Sequence, residues 1–156
     1  MNSPFSFTSH YTLDKTYFSE CFDESVTVDT SLRAYYKAIG FVLVGTALLL
    51  TGANAYASLF LVGLGALEAL SVKFKKTWWL WRQMMSKAAS NDVKLTIDEQ
   101  GIRSESLYVD STILWGDISE LTITNKGFLI KNTNGVNYIS KRSLDAAAIE
   151  FIKSKA

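Results

Sequence analysis

The pattern of apolar and polar residues changes sharply along the chain. Residues 38–67 carry no charge at all, and no other stretch of the sequence resembles these thirty positions. One helix of that length would extend about 45 Å, whereas the hydrocarbon core of a bilayer is about 30 Å thick. The sequence Gly-Ala-Asn-Ala at residues 52–55 interrupts the run, and Gly and Asn favour the turns that end one helix and begin another. The pattern predicts a helical hairpin with arms at residues 32–51 and 55–72.

The charges that flank the arms distinguish a membrane hairpin from a buried hairpin in a soluble protein. Arg33 and Lys37 lie at the start of the first arm, Lys73, Lys75 and Lys76 follow the second, and the turn between them is uncharged. The positive-inside rule then places both termini in the cytoplasm. Neither arm has the polar stripe that a soluble helix of this length should show. We therefore expect two membrane spans. The run starts too late, and is too long, for a cleaved signal peptide.

A basic and aromatic segment follows the second arm. Residues 69–91 contain five basic residues and no acidic one, and three tryptophans lie among them. Trp favours the headgroup level of a bilayer, and each Lys or Arg near an anionic surface contributes about 1 kcal/mol. We expect these residues at the membrane interface: Lys73, Lys75, Lys76, Trp78, Trp79, Trp81 and Arg82. Nucleic acid is the less favoured anion for this segment, because it directly follows a membrane arm.

Glu68 is the only acidic residue within the arms. If the turn centres near Asn54, Lys37 and Glu68 reach a similar depth on the cytoplasmic side, where they can form an intramembrane polar pair. A carboxylate within the membrane can act as a proton or ion relay. A single carboxylate at the edge of two helices makes no pathway, so we expect Glu68 to set the depth of the hairpin.

After Asp92 the continuous apolar pattern gives way to alternation, which predicts short antiparallel strands. Candidate strands occupy residues 93–97, 102–109, 111–115, 118–124, 127–132 and 136–140. Ser143 is the predicted N-cap of a C-terminal helix. Residues 5–11 predict an N-terminal strand, and the helix after it should place Leu13, Tyr17 and Cys21 on one face, with Phe22 as a further candidate. Because both tails lie on the same side of the membrane, the first strand can join the sheet of the last segment.

The pattern thus divides the chain into four parts. Residues 1–31 supply a strand and a helix to the cytosolic domain, residues 32–72 form the hairpin, residues 73–91 the juxtamembrane segment, and residues 92–156 the β-rich domain. Small residues in the hairpin let the two helices approach each other or let hairpins associate. They are Gly40, Gly45, Ala53, Ala57, Gly63 and Gly65.

Composition and motifs argue against enzymatic chemistry. The 16 Lys and Arg residues nearly balance the 15 Asp and Glu residues, which excludes a wholly basic nucleic-acid binder. Cys21 is the only cysteine and His10 the only histidine, too few for an intrachain disulfide or a Cys/His zinc cluster. Phosphate-binding loops and the motifs of dinucleotide-binding, zinc-protease and serine-hydrolase sites are absent from the sequence. We expect no catalytic residue, metal or cofactor.

Lys141 and Arg142 are the candidate anion-binding residues. They lie just before the predicted C-terminal helix, and the N-terminus of a helix attracts anions. The alternative is a solvated pair of charges beside the helix. Trp115 is expected to be a core or sheet-end ring. The acidic pairs Asp98/Glu99 and Asp110/Asp117 fall in predicted turns, where Asp is favoured for its hydrogen bonds to the backbone.

The order of these elements resembles a known family. The matching residues are Gly101-Ile102, Trp115 with Ile118, Phe128-Leu129-Ile130, and residues 139–143 followed by the helix. Together they resemble the YcxB-like family of small bacterial membrane proteins. The resemblance implies a pleckstrin-homology-like (PH-like) C-terminal fold and the bacterial inner membrane. It implies no activity and no site residues. The family often has Ile-Pro before its Lys-Arg pair, whereas Ile139-Ser140 stands here.

These inferences combine into one fold class and one function. We expect an α+β membrane protein in which a transmembrane hairpin is inserted in a PH-like antiparallel β domain closed by a C-terminal helix. Its function would be to present that non-enzymatic module to a lipid headgroup or a protein partner. The alternative is an accessory subunit that packs against a transporter or membrane enzyme. Self-association stays open, and nothing in the sequence specifies the partner.

Overall fold

The computed structural model describes residues 4–156 and divides into two compact units. One unit comprises the described residues up to Thr27 together with Leu80–Ala156, and the other is Val28–Trp79. The elements in chain order are β1 (Ser6–Thr12), α1 (Lys15–Ser25), α2 (Tyr36–Leu50), α3 (Ala55–Lys73), α4 (Lys75–Met84), β2 (Asp92–Asp98), β3 (Gly101–Glu105), β4 (Asp110–Leu114), β5 (Ile118–Ile123), β6 (Gly127–Asn132), β7 (Gly135–Ser140) and α5 (Ala146–Ser154). The fold class is α+β, with two antiparallel sheets and two apolar helices.

The strands form a four-stranded sheet, β1-β2-β3-β4, and a three-stranded sheet, β5-β6-β7. The N-terminal strand β1 pairs with β2 along its whole length, from Ser6 opposite Asp98 to Thr12 opposite Asp92. Two further hydrogen bonds extend this pairing, one from Leu13 N–H to the carbonyl of Asn91 and one from Ser90 N–H to the carbonyl of Leu13. The neighbouring strands β1 and β2 are therefore far apart in sequence, and the segment between them is an insertion.

The core of the β-rich unit comes from the alternating apolar positions of both sheets and one face of α5. Its members are Leu95, Ile97, Ile102, Ile113, Phe128, Ile130, Ile139, Ala148 and Ile152, all buried. Each fully buried Leu, Ile or Phe contributes about 1.5–3 kcal/mol. Trp115 packs against this core, donates its indole N–H to the carbonyl of Asp98 at 2.8 Å, and meets Phe151 edge to face. The prediction of a sheet-end ring at Trp115 is confirmed.

Two predictions about the ends of these elements were wrong. The strand predicted at residues 102–109 ends at Glu105, because Ser106 and Val109 close a turn through their backbone and the Ser106 hydroxyl. The N-cap of α5 is Asp145, which accepts from the Ala148 N–H at 2.7 Å, whereas the Ser143 hydroxyl donates to the carbonyl of Ser140. The prediction for α1 is confirmed, because Leu13, Tyr17 and Cys21 line one cleft, and the helix also buries Phe18, Glu20 and Phe22.

The hairpin in Val28–Trp79 has nearly the bounds that the charge pattern predicts. The arm α2 ends where the N–H groups of Gly52 and Ala53 bond back to the carbonyls of Leu49 and Leu48, with Gly52 at φ +72°. That left-handed position is why a glycine stands there. The arm α3 starts at Asn54, whose side chain accepts from the N–H groups of Tyr56 and Ala57.

Reciprocal small residues hold the two arms of the hairpin together. A Cβ on Gly65 would lie 2.6 Å from a methyl of Val42 and 2.9 Å from the carbonyl oxygen of Ala38. A Cβ on Gly45 would lie 2.8 Å from both the carbonyl oxygen of Ser58 and a methyl of Val62. Each glycine thus forms the hole for a valine of the other helix, which is how helices approach closely in membranes.

Not every predicted small residue takes part in this seam. A Cβ on Gly40 or Gly63 would meet nothing within 4 Å. Ala53 lies in the turn and Ala57 is exposed. The close approach of the arms therefore depends on Gly45 and Gly65 among the glycines, and not on Gly40 or Gly63.

Candidate membrane-binding surface

The outward surface of the hairpin is almost wholly apolar. The segments Leu32–Leu50 and Ala55–Lys73 are each long and apolar enough to cross a membrane, and only 11% of each is buried within the structure. Large side chains project outward along both arms, and Leu50 and Tyr56 near the turn are 84% and 87% exposed. The apolar residues of a soluble helix would instead be covered by a core.

The helix α4 carries a second exposed apolar surface. Trp78, Trp81 and Met85 recur at helical spacing and fall within about 60° of arc at 100° per residue, and Phe74 precedes them at the junction with α3. All four are exposed, with Trp78 at 64%. The bond from Trp78 N–H to the carbonyl of Phe74 closes the first turn of α4, and the bond from Met85 N–H to the carbonyl of Trp81 extends the pattern to Met85. We call these four residues the aromatic stripe.

Basic residues border the aromatic stripe. By helical geometry Lys75 and Arg82 lie within about 60° of Trp78 on one side, and both are exposed. Trp79 is half-buried and points away from the stripe, and Leu80 is buried. Sequence reasoning named all three tryptophans together and missed Phe74 and Met85, although the spacing 74, 78, 81 and 85 was available to it.

The remaining residues predicted for the membrane interface lie near the end of α3 and the start of α4. The Lys73 ammonium is 5.8 Å from the centre of the Phe74 ring, and Lys76 is half-buried. No acidic residue occurs between Glu68 and Asp92. This end of the hairpin therefore combines exposed aromatic rings with a stretch of sequence that contains basic but no acidic residues.

Lys37 and Glu68 lie at the same end of the hairpin, because Gly65 packs against the carbonyl of Ala38. The ion pairs found among residues 4–156 do not include one between Lys37 and Glu68. The Lys37 ammonium lies 5.8 Å from the Tyr36 ring centre instead, and Glu68 is half-buried. The pairing expected from the sequence is not formed here.

The candidate anion-binding residues Lys141 and Arg142 both have partners within the protein. The Lys141 ammonium donates to the carbonyls of Thr124 and Asn125 at 2.5 and 3.3 Å and lies over the Phe128 ring. Arg142 contacts the buried Glu20 carboxylate, with 3.0 Å between Nε and Oε2. The carboxylate of Asp145 already occupies the N-terminus of α5. This geometry favours a structural role for both cations.

Glu20 is the centre of a buried network that joins α1 to β7. Its other carboxylate oxygen accepts from the hydroxyls of Tyr138 at 2.6 Å and Ser140 at 2.5 Å. Burial and the neighbouring Glu20 carboxylate raise the pKa of Tyr138. Tyr17 adds a bond from its hydroxyl to the backbone carbonyl of Tyr138. Residues about 120 positions apart are thereby locked together, and a local sequence pattern contains no signal for that contact.

Cys21, the only cysteine in the sequence, is half-buried on α1. Burial raises the pKa of the Cys21 thiol, whereas an activated cysteine requires a lowered pKa. Cys21 and Tyr17 line an apolar cleft of about 250 Å³ together with residues of β3, β4 and β7. Asp98, from one acidic pair, accepts backbone N–H bonds from Gln100 and Gly101, as expected in a turn. Within the described part of the chain, no three His, Cys, Asp or Glu side chains converge to hold a metal.

The family resemblance is confirmed by a match to the family model described as YcxB-like protein, over residues 97–156. The match runs from the end of β2 to the C-terminus and lies outside the hairpin. The MyTH4-FERM MF2 domain of Dictyostelium discoideum myosin VII, mutant 1, aligns with 91% of this chain at 12% identity and a TM-score of 0.28. The chain spans 37% of that structure, and a TM-score this low does not indicate a shared fold. No curated protein matches the chain.

Proposed function

We propose that the protein is a non-enzymatic, membrane-anchored binding module of the bacterial inner membrane. The hairpin α2–α3 crosses the bilayer twice and places both termini in the cytoplasm. The unit built from β1–β7, α1 and α5 is a cytosolic PH-like domain held at the membrane surface, where it meets a lipid headgroup or a protein partner.

One observation carries the proposal: the arms of the hairpin leave their large apolar side chains exposed over two segments of membrane-spanning length. Soluble monomers rarely expose contiguous apolar patches of more than a few hundred Å². Within lipid, both helices satisfy their backbone hydrogen bonds internally. The absence of charge from residues 38–67 supports the same environment.

The cytosolic assignment rests on the positions of the charges. Basic residues flank both outer ends of the hairpin, which supports cytoplasmic termini under the positive-inside rule. The PH-like assignment is supported by the antiparallel sheets of four and three strands, followed by the C-terminal helix that such a fold requires. The YcxB-like match covers residues 97–156, which include β3–β7 and α5 of this unit.

A direct test uses single cysteines in a Cys21→Ser background, introduced at Ala53 in the turn and at Ser154 near the C-terminus. In spheroplasts, a membrane-impermeant thiol reagent should label the turn but not the C-terminus, and the protein should resist alkaline extraction of the membranes. Labelling of the C-terminus in intact spheroplasts, or release by alkali, would refute the proposal. Capture of a stoichiometric membrane protein in mild detergent would favour the accessory-subunit alternative instead.

A further inference from the structure

A notch lies where α3 ends and α4 begins. Its volume is about 300 Å³, at the lower end of the roughly 300–1,000 Å³ of ligand pockets. Its walls are apolar except for two hydroxyl-bearing side chains, and they are formed by Leu67, Leu70, Ser71, Phe74, Thr77 and Trp78. The notch is therefore shaped for an apolar group.

The notch arises from a bend in the backbone at Phe74. This residue lies at φ −102° and ψ 22°, outside the α-helical region, so α3 and α4 are two helices that meet at an angle. Bonds from Phe74 N–H to Leu70 and from Trp78 N–H to Phe74 keep the chain hydrogen-bonded through the bend. The notch lies at this junction, with walls from both helices, and Leu67, Phe74 and Trp78 are exposed.

Positive charge stands beside the notch. Lys73 and Lys75 flank Phe74 in the sequence, both are exposed, and the Lys73 ammonium lies 5.8 Å from the Phe74 ring centre. None of the residues 69–91 is acidic. An occupant that matches this surface has an apolar chain for the notch and a negative charge for the lysines.

We propose that the notch binds one acyl chain of an anionic phospholipid, while Lys73 and Lys75 hold its phosphate. The inference rests on the proposed function, because the end of α3 must lie at the membrane surface for a bilayer lipid to reach the notch. The lipid that the membrane anchor selects is then an anionic phospholipid, and the bend between α3 and α4 is the feature that selects it.

Bromine quenching of tryptophan fluorescence tests the proposal, because Trp78 forms one wall of the notch. The full chain is reconstituted in vesicles of phosphatidylglycerol and phosphatidylcholine, with brominated acyl chains on one lipid or the other at equal mole fraction. Attraction of about 1 kcal/mol corresponds to roughly fivefold local enrichment of the anionic lipid. Quenching should therefore be stronger with brominated phosphatidylglycerol, and Trp78→Phe should remove most of the difference.

Matched variants separate the notch from general attraction to the surface. The double variant Lys73→Gln/Lys75→Gln should abolish the stronger quenching by brominated phosphatidylglycerol. The control Lys126→Gln/Lys131→Gln, in the β-rich unit, changes the net charge by the same amount and should retain this preference. Ser71→Phe, which fills the notch, should also abolish the preference. Ala57→Phe adds the same ring to an exposed position near the other end of α3 and should leave the preference unchanged.

Three outcomes would overturn the proposal, and they are distinguishable. Equal quenching by the two brominated lipids in the wild type would leave the membrane anchor intact and refute lipid selection. Equal quenching of wild type and Trp78→Phe would mean that protein, such as a second copy, covers the notch. Absence of quenching by either lipid would show that the hairpin is outside the bilayer, and the proposed function would then fail as well.

Discussion

Replacing Gly65 with Ala should separate the arms of the hairpin, whereas the same change at Gly63 should not. The added Cβ at position 65 would stand 2.9 Å from the backbone carbonyl oxygen of Ala38 as well as 2.6 Å from Val42. A rotamer change can relieve the methyl contact, but only movement of the helices relieves the backbone contact. A Cβ at position 63 meets nothing within 4 Å.

The magnitude follows from two opposing effects. Overpacking of a well-packed contact costs about 1–3 kcal/mol. Ala is favoured over Gly within a helix by about 0.8–1.0 kcal/mol, and this gain applies to both variants. It cancels in the comparison, so Gly65→Ala should be less stable than Gly63→Ala by about 1–3 kcal/mol.

Energy transfer between dyes on the two arms measures this difference. Cysteines at Leu32 and Ser71, in a Cys21→Ser background, lie at the same end of the hairpin and carry a donor and an acceptor. Titration of the protein from mild detergent into sodium dodecyl sulfate reports the separation of the arms. A midpoint for Gly65→Ala equal to that of Gly63→Ala would refute the seam as the contact that holds the arms together.

Three further predictions concern the other parts of the molecule. Glu20→Ala should destabilise the β-rich unit by about 1.5–3 kcal/mol in chemical denaturation, because two buried hydroxyls lose a charged acceptor, whereas the exposed Glu150→Ala should cost no more than about 0.5 kcal/mol. The pKa of Tyr138 is raised in the folded state, so the unfolded state loses the phenol proton first as the pH rises through about 10. The stability of the folded state should therefore decrease above that pH. The variant Tyr138→Phe should make this decrease shallower. The charge-reversal variant Lys73→Glu/Lys75→Glu/Lys76→Glu should invert or scramble the orientation of the hairpin. A topology reporter that gives the same result for this variant and the wild type would contradict the positive-inside argument.

The hairpin was predictable because its signals are local. Residues 38–67 lack charge. In the turn, Gly52 adopts the left-handed φ that glycine favours, and the Asn54 side chain caps the start of α3. The strands were predictable for a similar reason, since alternation directly reports a sheet with one covered face. Both signals lie within short windows of sequence.

What the sequence did not reveal depends on contacts between distant residues. Tyr138, Ile139 and Ser140 are buried consecutively at the end of β7, which alternation cannot predict, because α1 is linked to this strand through Glu20. Lys141 is likewise tied to carbonyls 16 and 17 residues away. The expectation of anion binding at Lys141 and Arg142 considered the nearby helix N-terminus and missed both internal partners.

The position of the insertion also has a physical rationale. Pairing of β1 with β2 closes a loop of 79 residues between Thr12 and Asp92. The compact hairpin brings its own two ends together, so a chain that forms the hairpin first closes a flexible loop of only roughly forty residues. Because closure entropy grows as (3/2)RT ln n, that saving is only about 0.6 kcal/mol. The named core residues of the β-rich unit all lie between Leu95 and Ile152, in the strands and helix that follow the insertion. Loop closure therefore gives little physical reason for the insertion, whereas the proposed membrane anchor supplies one.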